Sequence, residues 1–316
     1  MPIRLLDADS AAKIAAGEVV ERPASVVKEL VENAIDAGAG DIRVEIKDGG
    51  LSLLRVVDDG CGIPAAELPL AFERHATSKI DSIEDLATVA TLGFRGEALP
   101  SIAAVAQVHL ASRAAGASSG SHLRVHGGEI LEQGAAGGPP GTSVSVRELF
   151  FNTPVRRKFL KTPLAEGGQV TRLVGQFALA YPGIGFSLVS DGRNVFQSSG
   201  RGDLLDVIAR LYGPEIARGM LPVELSGAEP SPHGRWPADT ASLVVRGYVS
   251  QPSLSRSSRA QLSLFVNGRL IQGKGLLHAI EEAYASLLMV GRHPLAVLHL
   301  SLDPGLLDVN VHPAKA

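Results

Sequence analysis

The chain has 316 residues, a length that favours two domains, and its formal net charge is only −3. Hydrophobic residues make up 45% of it, which is enough to build real cores. A dedicated nucleic-acid-binding domain is usually basic, so any contact with nucleic acid must rest on a local patch. Cys61 is the single cysteine. It excludes an intrachain disulfide and a thiolate metal cluster, and it favours a reducing compartment.

The ends of the chain and its hydropathy bear on location. The N-terminal residues carry no apolar stretch of the signal-peptide type. No run approaches the roughly 20 apolar residues that span a bilayer. We therefore expect a soluble, cytoplasmic protein without a membrane partner. Residues 311–316 end without a tail or cap, which suits a cut inside a longer polypeptide and equally a natural end.

The first predicted elements are two helices. Residues 9–20 are predicted to form a short helix capped by Asp9 or Ser10, and Pro23 opens a stronger helix because proline suits the first helical turn. In that second helix, apolar residues recur at helical spacing on one face, and polar residues lie on the other. The apolar residues are Val26, Val27, Leu30, Val31, Ala34 and Ile35, and the polar ones are Glu29, Glu32, Asn33 and Asp36.

The remaining elements alternate strands, helices and loops. Strands are predicted at 41–47, 51–57, 107–113, 121–126, 142–148, 242–250, 261–267 and 294–301, with a hairpin at 184–198. Helices are predicted at 65–75, 97–105, 165–181, 202–212 and 274–288. Loops are predicted at 76–97, 114–120, 134–141 and the proline-rich stretch 225–241. This order predicts a mixed α/β chain with domains at 1–200 and 201–316.

Glu29 and Asn33 are four residues apart, so they lie one turn apart on the same helix face. There a carboxylate and an amide can face a cleft together. Judged alone, an ordinary solvated helix face is the better interpretation, because exposed acidic residues are the rule.

Asp58 ends an apolar strand, and the following Gly60 and Gly62 let the backbone turn sharply and approach a ligand. A carboxylate at that place can accept a hydrogen bond from an exocyclic amine such as that of adenine. The pattern Asp-x-Gly-x-Gly alone is a common turn.

Two further segments add to the pattern. The glycine-flanked loop from Gly93 to Leu99 enters a helix, and N–H groups at a helix N-terminus can bind a phosphate. Gly141-Thr142-Ser143 opens a strand after a glycine-rich loop, and its hydroxyls can bond a base or a water. A loop with a helix cap is the plain alternative for the first. The four elements in this order form a strong signal.

The order Glu-x-x-x-Asn, Asp-x-Gly-x-Gly, Gly-x-x-Gly-x-Ala and Gly-Thr resembles the GHKL ATPases, and the finer match is to the MutL family of DNA mismatch repair proteins. The segments that carry this finer resemblance are 14–23, 32–38, 74–80, 93–99, 151–159, 266–269 and 308–315. They run along the whole chain, and only residues 201–245 match weakly.

The resemblance implies an α/β (α+β) fold. A GHKL two-layer sandwich of mixed sheet and helices would be followed by a smaller βαβ-containing domain of the ribosomal-S5-domain-2-like type. The family's C-terminal dimerisation domain would lie outside this chain.

The resemblance also implies roles for individual residues. Glu29 would be the general base of ATP hydrolysis, and Asn33 would hold Mg²⁺. Asp58 would bind the adenine amino group, with Thr77 and Thr142 near the adenine pocket. Lys315 would reach the γ-phosphate from the second domain. The other expected ATP contacts are Gly60, Gly62, Thr77, Gly93, Phe94, Arg95, Gly96, Glu97, Ala98, Leu99 and Thr142.

DNA binding is implied for Arg269 and for the basic cluster Arg156, Arg157 and Lys158, although a solvated charge run is an equal interpretation of the cluster. Residues 268–274 also match the first seven positions of a Walker A loop. The eighth position is Gly275 rather than Ser or Thr, so we interpret this match as a coincidence.

The resemblance implies a slow, Mg²⁺-dependent ATPase that forms a homodimer on binding ATP, binds DNA, and couples the mismatch-recognition protein MutS to a downstream nuclease or helicase. Two alternatives stay open at this point: a nucleotide-dependent interaction platform without catalysis, and another GHKL enzyme.

Overall fold

The computed structural model describes residues 7–79, 91–93, 96–226 and 243–306, and the side chains of residues 8, 9 and 11 are not described. The chain divides into two compact units. The first contains the described residues up to 175 together with 183–201, and the second contains 176–182 and the described residues from 202 onwards.

The helices are α1 (Ala8–Val19), α2 (Pro23–Asp36), α3 (Ala98–Val105), α4 (Pro154–Phe159), α5 (Pro163–Ala180), α6 (Leu204–Tyr212), α7 (Pro214–Arg218) and α8 (Lys274–Ala283). The strands of the first unit are β1 (Asp41–Lys47), β2 (Leu53–Asp58), β3 (Gln107–Arg113), β4 (Gly120–His126), β5 (Glu129–Ala136), β6 (Gly141–Arg147), β7 (Gly185–Ser190) and β8 (Arg193–Gln197). Those of the second unit are β9 (Met220–Ser226), β10 (Val244–Ser250), β11 (Ser255–Arg256), β12 (Leu262–Val266), β13 (Arg269–Ile271), β14 (His293–Pro294) and β15 (Ala296–Ser301).

The first unit is built on an eight-stranded mixed sheet in the order β5-β4-β3-β6-β2-β1-β7-β8. Neighbouring strands are antiparallel except β1 and β7, which are parallel. Along β1, buried and more exposed residues alternate, as a strand with one covered face requires. Helix α2 packs on β1 and β2, and α3 packs on β3 and β4. The two-layer arrangement of sheet and helices is therefore as expected.

Helix α2 places the candidate site because its apolar stripe fixes its orientation on the sheet. Pro23 occupies its first turn and is buried, as are Val26, Val27, Leu30, Val31 and Ala34. Burying one such side chain contributes about 1.5–3 kcal/mol, so rotation of the helix is strongly opposed. The polar residues that lie between these apolar positions are consequently held at the margin of the core.

The second unit has a five-stranded sheet in the order β13-β12-β15-β10-β9. Strands β12 and β15 are parallel, and α8 lies between them in the chain, which is the expected βαβ arrangement. Its core is formed by Leu264, Ala296 and Leu298, against which Leu277 and Ile280 of α8 pack.

The structure differs from the prediction in several elements. The predicted helix 65–75 is wrong, because this segment forms turns with a single 3-10 turn at Leu70–Phe72. Pro69 lies in its middle, and a proline removes a helical hydrogen bond there. Strand β5 overlaps the predicted loop 134–141, and the prediction lacks β9 and the short elements α4, α7, β11 and β13.

Candidate functional site

Asp58 stands at the end of β2, with its carboxylate held in place by backbone donors. The N–H groups of Gly60 and Thr142 donate to its Oδ1 at 3.0 and 3.2 Å. Thr142 lies directly opposite Asp58 in the pairing of β2 with β6. Burial raises the pKa of Asp58, and the two N–H donors oppose that rise. Among the described residues, no donor is seen on Oδ2, which is therefore free to accept from a ligand amine.

The turn after Asp58 is fitted tightly to its surroundings. A side chain at Gly62, whose φ is +70°, would overlap the carbonyl of Arg113. A Cβ at Gly60 would lie 2.8 Å from atoms of Ala37, the residue that follows α2. Glycine is therefore required at both positions, and the contact with Ala37 brings the turn against the end of α2.

Ser112 of β3 links this turn to β6, a role that no motif in the sequence indicates. Its Oγ accepts the N–H of Ile63 at 2.8 Å and donates to the carbonyl of Gly141 at 3.0 Å. It also lies 3.0 Å from Oγ1 of Thr142. A buried hydroxyl with several partners stabilises one arrangement of the loops that surround Asp58.

Helix α2 presents Glu29 and Asn33 as expected, and Asp36 lies one turn further on. Glu29 contacts the ammonium of Lys28 at 3.3 Å, and Glu32 contacts it at 3.1 Å. Burial lowers the pKa of Lys28, but the two carboxylates outweigh burial and the net shift is upward. The side chain of Glu29 is 26% exposed, so it can meet a water molecule.

Asn33 and Asp36 contact Lys79, a residue that is not among the predicted site residues. The Nζ of Lys79 donates to Asn33 Oδ1 at 2.9 Å and to Asp36 Oδ2 at 2.5 Å. The expected adenine-pocket residue Thr77 accepts the backbone N–H of Lys79 at 3.2 Å. Asp36 follows Asn33 by three residues, so the two side chains are neighbours on α2. This spacing could have predicted that Asp36 lies beside Asn33, but it could not have identified Lys79.

The glycine-flanked segment is only partly described. Gly93 donates its N–H to Asp36 at 3.1 Å, and Gly96 accepts the N–H of His75 at 3.2 Å. Glu97 occupies the N-cap position of α3 without a side-chain capping hydrogen bond, and the expected Ala98 and Leu99 form the first turn of the helix. Gly96 has a φ of +61°, in the left-handed region that favours glycine. The expected contacts Phe94, Arg95 and Lys315 lie outside the described residues.

Arg156 does not lie on an open basic surface. Its Nη2 donates to the carbonyl of Lys13 at 2.8 Å, and a Cβ at Gly17 would overlap the guanidinium. The arginine therefore packs on α1, which is a structural role and does not support our expectation of DNA binding. Arg157 and Lys158 are exposed on α4. Arg269 lies on β13, in the second unit.

The Walker-like residues 268–274 do not form a phosphate loop. Asn267 and Gly268 have φ values of 47° and 80° and turn β12 into β13, and residues 269–271 pair back as a strand. Asn-Gly is a strong signal for such a hairpin. This hairpin explains why the match of residues 268–274 to a Walker A loop is a coincidence, as Gly275 in place of Ser or Thr indicates.

An open pocket of about 280 Å³ borders Asp58 and Asp59. The rest of its lining comes from β1, β2, β7, β8 and the pair Pro139 and Pro140, with the residues that adjoin these strands. None of the polar residues of α2 lines it, so we do not assign the nucleotide to this pocket.

Two family models match the chain. The model for histidine kinase-, DNA gyrase B- and HSP90-like ATPases matches residues 18–146, and the model for the C-terminal domain of DNA mismatch repair protein matches residues 208–316. The structure of the Aquifex aeolicus MutL ATPase domain complexed with ADP is 30% identical, covers 93% of this chain and 100% of that chain, and has a TM-score of 0.64. The chain belongs to the MutL family.

Curated MutL proteins extend this similarity to nearly the whole chain. Those of Desulforudis audaxviator (strain MP104C) and Pelotomaculum thermopropionicum are each 51% identical over 313 residues, or 99% of this chain. The chain spans about half the length of these relatives, 53% and 50%. The crystal structure of the N-terminal domain of a DNA repair protein has a TM-score of 0.81 at 28% identity, covering 96% of this chain and 90% of that one.

The MutL family membership confirms the resemblance read from the motifs, and the fold is the expected mixed α/β fold. The first unit carries the GHKL-type ATPase domain, and the second overlaps the mismatch-repair match. No helix among the described residues is long and apolar enough to cross a membrane.

Proposed function

We propose that this MutL-family chain binds and hydrolyses ATP and acts as a nucleotide-driven switch in DNA mismatch repair. The observation that carries the proposal is the Asp58 carboxylate at the end of β2, with Oδ1 anchored by two backbone N–H groups and Oδ2 free. This arrangement suits recognition of the adenine amino group. The ADP complex of the Aquifex aeolicus MutL ATPase domain supports it, because that domain matches 93% of this chain.

The γ-phosphate would be attacked by a water held by Glu29, which acts as general base from α2. Positioning and electrostatics supply most of the catalysis of phosphoryl transfer, so the orientation of α2 on the sheet matters directly. Gly96 and the first turn of α3 would donate backbone N–H groups to the phosphates, with Gly93, whose N–H donates to Asp36, beside them. Lys315 is proposed to neutralise the charge that develops on the γ-phosphate. Turnover is expected to be slow because dimerisation gates the chemistry.

The side chains around Asn33 fit a Mg²⁺ ion. The amide oxygen of Asn33 and the carboxylate of Asp36 are hard oxygen donors, and in this structure they already hold a cation, the ammonium of Lys79. Bound Mg²⁺ supplies charge neutralisation at the phosphates. Asn33 would hold the ion, and Glu29, one turn away, would stay free to take a proton from water.

We further propose that ATP pairs two copies of the chain, that MutS and a downstream nuclease or helicase are the partners of the whole protein, and that it acts on DNA in the cytoplasm. The alternative is an interaction platform that binds nucleotide without hydrolysing it. Steady-state release of phosphate distinguishes the two: the switch requires release that depends on Mg²⁺, and a platform gives none above background.

DNA binding through Arg269 is expected to be strongly salt-dependent. Each neutralised phosphate contributes about one unit to the slope of log affinity against log salt. Arg269→Glu should therefore weaken binding at low salt and flatten that slope by about one unit or more. Fluorescence anisotropy with labelled duplex DNA measures both quantities.

The matched control is Arg218→Glu, which reverses an exposed charge on α7 of the same unit. If this control and Arg269→Glu give the same affinities, or if binding is insensitive to salt, Arg269 does not bind DNA.

A further inference from the structure

The ammonium of Lys79 is hydrogen-bonded to the amide oxygen of Asn33, the atom that we propose as a ligand of Mg²⁺. Its Nζ is 2.9 Å from Asn33 Oδ1 and 2.5 Å from Asp36 Oδ2. The side chains of Lys79 and Asp36 are only 19% and 6% exposed. An ammonium in this position takes the oxygen donors that a hard divalent cation would otherwise use.

The contact is further enclosed by the backbone near Gly93. The N–H groups of Leu92 and Gly93 donate to the two oxygens of Asp36 at 2.8 and 3.1 Å. A Cβ at Gly93 would lie 3.3 Å from Nζ of Lys79, 3.7 Å from Asn33 Oδ1 and 3.8 Å from Asp36 Oδ2. The ammonium, the amide and the carboxylate are thus packed together without space for a second cation between them.

We propose that Lys79 is an internal competitor of Mg²⁺ and that it must leave Asn33 before the metal can bind there. This inference rests on the proposed function, because it takes Asn33 as the metal ligand. A lysine charge and a divalent ion on the same oxygen would repel each other strongly in a partly buried site. The two cations therefore exclude each other, and the strength of the Lys79 contact sets the Mg²⁺ concentration at which nucleotide binds.

The competition also keeps Asp36 paired when no metal is bound. Breaking a buried ion pair by removing one partner leaves an uncompensated charge. In a Lys79→Met protein, the Asp36 carboxylate would be that charge, and it would attract a divalent ion to the neighbouring Asn33. Lys79 is in this sense a positioning residue that acts through Asn33 and Asp36.

The test is a titration of Mg²⁺ at a fixed concentration of a fluorescent N-methylanthraniloyl ADP, with nucleotide binding as the readout. Lys79→Met should lower the Mg²⁺ concentration at half-maximal binding by about two- to fivefold, the factor that one lost ion pair is worth. Lys79→Gln, which keeps a donor for Asp36, should shift it in the same direction and serves if Lys79→Met does not fold. The matched control is Lys47→Met, at an exposed lysine on β1.

The inference fails if both Lys79 variants leave the half-maximal Mg²⁺ concentration unchanged or raise it. It also fails if both variants weaken nucleotide binding by the same factor in excess EDTA as in excess Mg²⁺, because Lys79 would then contact the nucleotide itself. Adding Asn33→Ala to Lys79→Met should abolish the gain, and a gain that persists would show that Asn33 is not the contested ligand. Wild-type protein that binds no nucleotide at any Mg²⁺ concentration would instead refute the proposed function.

Discussion

Glu29→Ala is expected to bind ATP with the wild-type affinity and to release phosphate about 10²–10⁴ times more slowly. The reason is that Glu29 is assigned to the attacking water and not to the nucleotide, so its loss removes proton abstraction and leaves the adenine and phosphate contacts in place. Calorimetric titration with ATP and a steady-state phosphate-release assay measure the two quantities on the same preparation.

Glu32→Ala is the matched control for Glu29→Ala. Both carboxylates lie on α2 and both contact Lys28, at 3.3 and 3.1 Å, so each variant removes one negative charge from the same ammonium. Only the loss of Glu29 should slow hydrolysis strongly. Normal turnover by Glu29→Ala would show that another group is the base. An equal loss of turnover in Glu32→Ala would show that the negative charge beside Lys28, and not a base at Glu29, is what hydrolysis requires.

Asp58→Ala is expected to weaken nucleotide binding by about 100-fold. A hydrogen bond to a charged group contributes about 1.5–3 kcal/mol, and the variant also removes the acceptor of the Gly60 and Thr142 N–H groups. Asp58→Asn keeps an oxygen for those two donors. It should therefore fold like the wild type and still bind weakly, which separates amine recognition from the shape of the turn.

Lys274→Ala is the control that addresses the Walker-like residues 268–274. Because residues 269–271 form β13 rather than a phosphate loop, this variant should bind nucleotide as the wild type does. A large loss in Lys274→Ala with normal binding by Asp58→Ala would overturn the assignment of the site.

The parts of the fold that could be predicted are those in which local pattern and tertiary packing agree. Helix α2 begins at a proline and buries a continuous apolar stripe, and β1 alternates buried with more exposed residues next to a glycine turn. In such elements the periodicity of the sequence reports the burial directly. The Asp58 turn was predictable for the same reason, since it follows an apolar strand and carries two glycines.

The missed strands lie at the edges of their sheets, where burial does not impose a pattern. Strand β5 ends the eight-stranded sheet and is exposed along most of its length, so it lacks alternation. Strand β9 ends the five-stranded sheet and contains Pro222, which an edge strand tolerates. The helix predicted over 65–75 is absent because Pro69, in the middle of the segment, removes a helical hydrogen bond.

The missed parts of the site depend on contacts between residues that are distant in sequence. Lys79 reaches Asn33 from 46 residues away, and Ser112 reaches Ile63 from 49 residues away. No spacing rule connects such pairs. Arg156 makes a further contact of this kind, because it belongs to a run of basic residues, yet its guanidinium donates to the carbonyl of Lys13 in α1, 143 residues away.

The most direct test of the ATP switch is the mass of this chain in solution with and without a non-hydrolysable ATP analogue and Mg²⁺. Light scattering coupled to size exclusion gives that mass. We predict a change from the mass of one chain to the mass of two on addition of analogue and Mg²⁺ together. The Asp58→Ala protein should show no change at an analogue concentration that just saturates the wild type. An unchanged mass at saturating analogue would contradict the account.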